Sequence, residues 1–306
     1  GSFEVLFYRG QHAAIGQLAD YVIEHHYPEL ADQPVPERHI GLLNRVIERT
    51  ARLVAHWQAV GFAHGVLNTD NMSILGITLD YGPYGFMEAY DPTFICNHSD
   101  YHGRYAFDQQ PGIGLWNLSC LAQAMLPLMD VDAAKAALAT YQDLFTAHYR
   151  TLMAAKLGLQ QADQRAAELS DELLAQMHQS GVDYTRLFRS LAATAGGEDT
   201  GAALRDEFVD RERFDRWRHH YAALLRAGGS TPEARRAAML AVNPKYVLRN
   251  YMAHIAIDKA QSDKDFSEIA RLMRLLQTPF AEHPDMQVYA DAPPDWAGGI
   301  QVSCSS

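Results

Sequence analysis

The stretch His64-Gly65-Val66-Leu67-Asn68-Thr69-Asp70-Asn71, continued to Asp80-Tyr81-Gly82, decides how this chain is read. Between its two halves, Met72-Ser73-Ile74-Leu75 and Ile77-Thr78-Leu79 are short apolar runs split by Gly76. They predict short strands or a bent ribbon. A ribbon of that length turns back on itself and brings Asn71 and Asp80 to one place. An amide oxygen and a carboxylate are hard ligands, the kind Mg²⁺ takes together with nucleotide phosphates.

A helix before the stretch and a long loop after it complete the layout of a protein-kinase catalytic loop and metal motif, written His-Arg-Asp-x-x-x-x-Asn and Asp-Phe-Gly. One position departs. Counting back from Asn71, the kinase base is replaced by Val66, which takes no proton. The nearest carboxylate on the loop is Asp70. An Asp-x-Gly tripeptide alone is a common turn, and Asn68, Asp70 and Asn71 are also residues that shape turns through their own backbone. It is the two motifs at this spacing that favour chemistry over a plain turn.

Outward from the stretch the chain is mostly helical. Residues 1–9 are short, aromatic and β-branched and predict an extended piece. Ile15, Leu18, Val22 and Ile23 recur at helical spacing over 11–27. Leu43, Val46, Ile47, Val54 and Trp57 form the stripe of a helix over 36–60, with Pro36 in its first turn and Gly61 at its end. Residues 81–112, rich in Gly, Pro, Asp and aromatics, predict a long functional loop. Helices are then expected over 113–126, 131–157, 161–178, 182–194, 202–226, 231–241, 244–260 and 264–276. Asn243-Pro244 reads as the start of one of them, Asn as cap and Pro in the first turn. The tail 277–306, with four prolines, should be irregular. The expected fold is therefore mainly α: a kinase-like C-lobe core over 1–126 with a short β-ribbon at the metal site, extra C-terminal helices over 127–276, and the tail.

Composition narrows the function. A chain of 306 residues with 48% hydrophobic and 21% charged residues can bury a sizeable core. No apolar run is long enough to span a membrane. A formal net charge of −11 argues against a nucleic-acid binder, which needs a basic footprint. Three cysteines, Cys96, Cys120 and Cys304, make no disulfide framework and fit a reducing, cytoplasmic setting. The start at Gly1, without Met or leader, reads as a cut through something longer.

The chain resembles the selenoprotein O family of pseudokinase-like protein adenylyltransferases. The resemblance is carried by Gly1-Ser2-Phe3-Glu4-Val5, HGVLNTDNMSILGITLDYGPYGF (64–86), DPTFICNHSDYHGRYAFDQQP (91–111), Leu115-Trp116-Asn117-Leu118, Asn243-Pro244-Lys245-Tyr246 and PPDWAGGIQVSCSS (293–306). It covers essentially the whole chain. It implies a kinase-like fold that binds ATP inverted, and transfer of AMP to Ser, Thr or Tyr hydroxyls of proteins with release of pyrophosphate. It implies Asp70 as base, Asn71 and Asp80 as Mg²⁺ ligands, and Asp80 against the nucleotide phosphates. Mn²⁺ could replace Mg²⁺, and UTP could replace ATP as donor. The family's N-terminal lobe, with its glycine-rich loop and phosphate-binding cations, is absent from this chain. The fragment alone is therefore expected to be nearly inactive. The rival reading is a catalytically silent, redox-regulated nucleotide-binding adaptor, and ordinary phosphotransfer is disfavoured by Val66.

The resemblance also draws attention to Cys304, a position that is Cys in many bacterial members and selenocysteine in many animal ones. A bond from Cys304 to Cys96 would pin the tail over the loop, and an inert tail thiol is the alternative. Cys120, beside Leu118 and Leu121, reads as core. His98-Ser99-Asp100 holds the residue types of a hydrolase triad, but neighbours in sequence cannot line up as one. Arg104 either pairs with a loop carboxylate or contacts an acceptor. The basic cluster Arg216, Arg218, His219 and His220 reads as a solvated helix face.

Overall fold

The computed structural model describes residues 1–194 and 201–303. Among these the chain is built almost wholly of helices, with one two-stranded sheet.

The organising element is α3, Val35–Val60. Its expected stripe is entirely buried: Leu43, Val46, Ile47, Val54 and Trp57 all face the interior. Around it pack α2 (His12–His26), α4 (Gln110–Met125), α5 (Val131–Ala139) and α6 (Tyr141–Lys156). Gly61 ends α3 in the left-handed conformation at φ 70°. A side chain there would also strike the Tyr184 ring at 2.9 Å, so both backbone and packing demand glycine. Tyr184 donates its hydroxyl to Ala59 O at 3.0 Å and ties this helix end to the second half of the molecule.

That second half comprises α7 (Gln164–Ser180), α8 (Tyr184–Thr194), α9 (Arg211–Ala227) and α10 (Pro232–Val242). Its core is aromatic. Phe208, Phe214, Trp217 and Tyr221 stack in series, with successive ring centroids 4.0, 5.5 and 4.9 Å apart. Two shorter helices, α11 (Asn250–Ser262) and α12 (Ser267–Gln277), pack on each other. Beyond them, among the described residues, come only short 3-10 turns, as the proline content predicts. No helix among the described residues is long and apolar enough to cross a membrane.

Several expectations are corrected. Residues 2–8 form a helix, α1 (Ser2–Tyr8), not an extended piece. Phe3 is buried where α1 meets α2 and α4, and that packing overrides a local preference of aromatic and β-branched residues for strands. The helix expected over 131–157 breaks at Thr140, whose hydroxyl donates to Ala137 O at 2.7 Å. The helix expected from 202 begins only at Arg211, after a 3-10 segment, with Asp210 accepting from Arg213 N as its cap. Asn243 does not open a helix. It ends α10, fully buried, and its amide donates to Lys156 O and Met239 O, so the interior claims the side chain that would have capped. Cys120 is partly exposed, not core.

Lys156, at the end of α6, is 3% exposed. Its ammonium lies 4.1 Å from the centre of the Phe188 ring and 5.2 Å from that of Tyr184. Burial pushes its pKa down to about 7, and the ring faces recover only part of the lost hydration. The unfolded chain holds this proton up to its ordinary pKa of 10.5, so between pH 7 and 10.5 unfolding takes up a proton and stability rises with pH. Lys156→Met should flatten that rise in urea titrations. It should also raise stability at pH 7, by up to roughly 5 kcal/mol for a fall from 10.5 to about 7 at about 1.4 kcal/mol per pKa unit. Identical pH profiles for both proteins would overturn this.

Candidate functional site

The site grows out of the end of α3. After Gly61 the chain forms β1 (Phe62–Ala63), which pairs antiparallel with β2 (Gly85–Phe86) in the register Phe62 with Phe86 and Ala63 with Gly85. This sheet closes the base of the loop 64–84. The expected strands over 72–75 and 77–79 reduce to one antiparallel bridge, Met72 with Thr78, around a turn at 73–76. Antiparallel pairing at that bridge leads Asp70 and Asn71 on one arm and Asp80 on the other toward its open end.

Each predicted residue has a defined setting. Asp70 lies in the 3-10 turn Thr69–Asn71 with its side chain 76% exposed. One of its carboxylate oxygens is 2.7 Å from the backbone nitrogen of Gly1, which Glu4 also meets at 2.7 Å. Asn71 donates its amide nitrogen to Val66 O at 2.9 Å. That bond leaves Oδ1 as the atom free to ligate a cation. Asp80 adopts φ 53°, the left-handed region, where few residues other than glycine settle. Asp tolerates it, and such strain gathers at functional positions. Its carbonyl accepts from Gly82 N at 2.8 Å, which tightens the Asp-Tyr-Gly turn. No group of three His, Cys, Asp or Glu is gathered for a metal among the described residues. One carboxylate and one amide oxygen fit instead an ion that takes its remaining ligands from water and phosphate.

The loop is held by polar side chains, most of them buried, to which sequence reading gave no such role. Gln110 accepts from His64 N and donates to Phe62 O, both at 2.9 Å, acting as a substitute strand partner. Asn117 donates to Leu67 O at 3.0 Å, and Tyr105 donates to Asn68 Oδ1 at 2.5 Å. Asn97 donates to Gly65 O at 3.2 Å. His64 is 1% exposed and bonds Leu79 O at 2.8 Å through Nε2. Burial lowers its pKa, which keeps the ring neutral with Nε2 as donor, and so fixes the residue next to Asp80. The only local signal for these roles is a polar residue on an otherwise apolar helix face, as at Asn117 in Leu115-Trp116-Asn117-Leu118.

A cavity of about 880 Å³ opens beside Asp70 between α1, α2 and the ribbon. Its lining includes Glu4, Thr69, Asp70, Leu79 and Asn117, and no Lys or Arg. A second pocket, of about 570 Å³, lies among residues 97–113.

Cys96 is buried, its thiol donating to Ala63 O at 3.4 Å, and burial pushes its pKa up to about 12. A thiol so placed is a poor nucleophile. Cys304 lies outside the described residues. The tail does reach this loop, since His98 N donates to Val302 O at 2.8 Å. His98, Ser99 and Asp100 form no triad: the Asp100 carboxylate accepts instead from the backbone of Arg104 and Tyr105.

Fold and site together define a helical protein that presents two carboxylates and an amide on one loop and ribbon. A family model described as protein adenylyltransferase SelO matches residues 1–277, and the chain belongs to that family. It is 56% identical to a protein nucleotidyltransferase YdiU of Thioalkalivibrio sulfidiphilus, over all of this chain and 63% of that protein. It is 54% identical to one of Myxococcus xanthus, over all of this chain and 62% of the relative. The chain thus spans just over three-fifths of the length of these curated relatives.

Proposed function

We propose that this chain carries the catalytic loop and metal ligands of a protein nucleotidyltransferase that moves AMP from ATP to Ser, Thr or Tyr hydroxyls of proteins and releases pyrophosphate. One observation carries the reading: the loop supplies Asp70, Asn71 and, across the bridge, Asp80, while the kinase base position holds Val66. Family membership and the names of the relatives agree with it.

Asp70 is the general base. Its exposed carboxylate takes the proton of the acceptor hydroxyl as that oxygen attacks the α-phosphorus, and the bond to pyrophosphate breaks. Asn71 Oδ1 and the Asp80 carboxylate would hold Mg²⁺ or Mn²⁺, which neutralises charge developing on the phosphates. Asn71 is kept in place by Val66 O, and Asp80 by the His64 clamp on Leu79. The chemistry at the α-phosphate is the same for UTP, so UMP transfer belongs to the same reading. No Lys or Arg lines the cavity beside Asp70, so turnover by this chain alone should be slow. Redox control belongs here too: a Cys96–Cys304 bond, made with a small-molecule disulfide as oxidant, would require Cys96 to leave its buried position first.

The test uses ATP labelled at either the α- or the γ-phosphate, with the chain and with a longer form of the protein. Label in protein from the α-position, lost in Asp70→Ala, is the expected result. Label from the γ-position would make it a kinase, and label from neither a silent adaptor.

A further inference from the structure

We infer that the pocket bordered by Asn97, Asp100, Tyr101, Arg104, Tyr105 and Ile113 seats the part of a protein substrate flanking its acceptor hydroxyl, and that Arg104 selects an acidic residue there. The inference rests on the nucleotidyltransferase reading and adds the substrate class that the same site prefers.

Two hollows that share no lining residue adjoin the loop 64–71. One adjoins it through Thr69 and Asp70. The other adjoins it through Tyr105, bonded to Asn68, and Asn97, bonded to Gly65. A substrate in this second hollow therefore lies against the loop that carries the base. Asn68 is two positions from Asp70. An extended peptide advances about 3.3 Å per residue, so an acceptor at Asp70 places its near neighbours in the pocket.

Charge then chooses the occupant. Arg104 is exposed, and its guanidinium lies 4.8 Å from the centre of the Trp116 ring and 5.6 Å from that of Tyr105. No carboxylate among the described residues forms an ion pair with it. Asp100, the carboxylate of the same pocket, is committed to the backbone: Oδ1 accepts from Arg104 N at 3.0 Å and Oδ2 from Tyr105 N at 2.7 Å. It shapes the turn that presents Arg104. A guanidinium already stacked on a ring loses little freedom when it grips a carboxylate with two parallel bonds. On a chain of net charge −11 this cation is placed where an acidic substrate segment would otherwise be repelled.

Three short fluorescein-labelled peptides test this, each with one central tyrosine and with glutamates, glutamines or lysines around it. Binding to the whole chain is read by fluorescence anisotropy without nucleotide. The glutamate peptide should bind about tenfold more tightly than the glutamine one, as one charge-assisted, two-pronged contact warrants. The preference should vanish in Arg104→Met, which keeps the apolar stem, reverse toward a lysine-flanked peptide in Arg104→Glu, and survive in part in Arg104→Lys. Circular dichroism confirms that each variant is folded. Equal binding of the glutamate and glutamine peptides, a preference unchanged in Arg104→Met, or displacement of the glutamate peptide by inorganic pyrophosphate alone would overturn the inference. Nucleotide is absent from this measurement. A failure here leaves transfer from α-labelled ATP standing, and absent transfer with an intact preference overturns the chemistry but leaves the peptide site.

Discussion

Asp80→Ala is expected to abolish nucleotide transfer, with a loss of about three orders of magnitude or more, the scale of removing a group that stabilises developing phosphate charge. The fold should survive it. Asp80 sits on a turn, and the left-handed φ of 53° costs an alanine only about 1–2 kcal/mol. Asp80→Asn is the sharper variant, because Asn accepts the same backbone conformation and removes only the charge. It should unfold with the same urea midpoint as the parent and bind Mn²⁺ with ATP, followed by electron paramagnetic resonance, far more weakly. Asp70→Asn, by contrast, should slow transfer while leaving that Mn²⁺ signal nearly unchanged. If Asp80→Asn transferred label at the parent rate, the assignment of Asp80 to the phosphates and metal would be wrong.

Gly65→Ala should be the most damaging single methyl that can be added near the site. Gly65 has φ 81°, and a Cβ there would lie 2.3 Å from Pro83 O and 2.7 Å from Cys96 Sγ. The first of these is backbone and cannot swing away. The conformational penalty and the overpacking each cost about 1–3 kcal/mol, so a loss of roughly 3 kcal/mol is expected in urea unfolding. Transfer should fall with it, because Gly65 O is also the acceptor for Asn97 and the loop cannot shift without releasing that clamp. Gly112→Ala is the control. Nothing lies within 4 Å of a Cβ at Gly112, and in the first turn of α4 the change should be neutral or mildly stabilising. Equal stability of the two variants would show that the close approach of Pro83 and Cys96 to Gly65 has been misjudged.

The candidate loop was legible because its signals are local. Asn71 and Asp80 sit on either side of a short reversal, and the spacing alone dictates that the arms return together. Val66 could be struck out as a base on chemistry alone. The groups that hold the loop were not legible. Gln110, Asn117 and Tyr105 reach it from tens of residues away in sequence, and nothing next to them announces a partner. The two-stranded sheet escaped for the same reason, since Phe62–Ala63 and Gly85–Phe86 are two residues each and carry no alternation to read.

The sequence by itself determined that the chain is mainly helical, where α3 runs, why Gly61 must end it, and which loop carries the acidic and amide groups. Periodicity, left-handed caps and ligand chemistry are written in neighbouring residues. Tertiary structure decided the rest. It made a helix of residues 2–8 by burying Phe3, turned Asn243 from a helix cap into a buried tie to Lys156, and set Arg104 against Trp116 beside the loop 64–71. Each of these is a choice between two satisfactory local states, and only the free energy of contacts made far along the chain selects one.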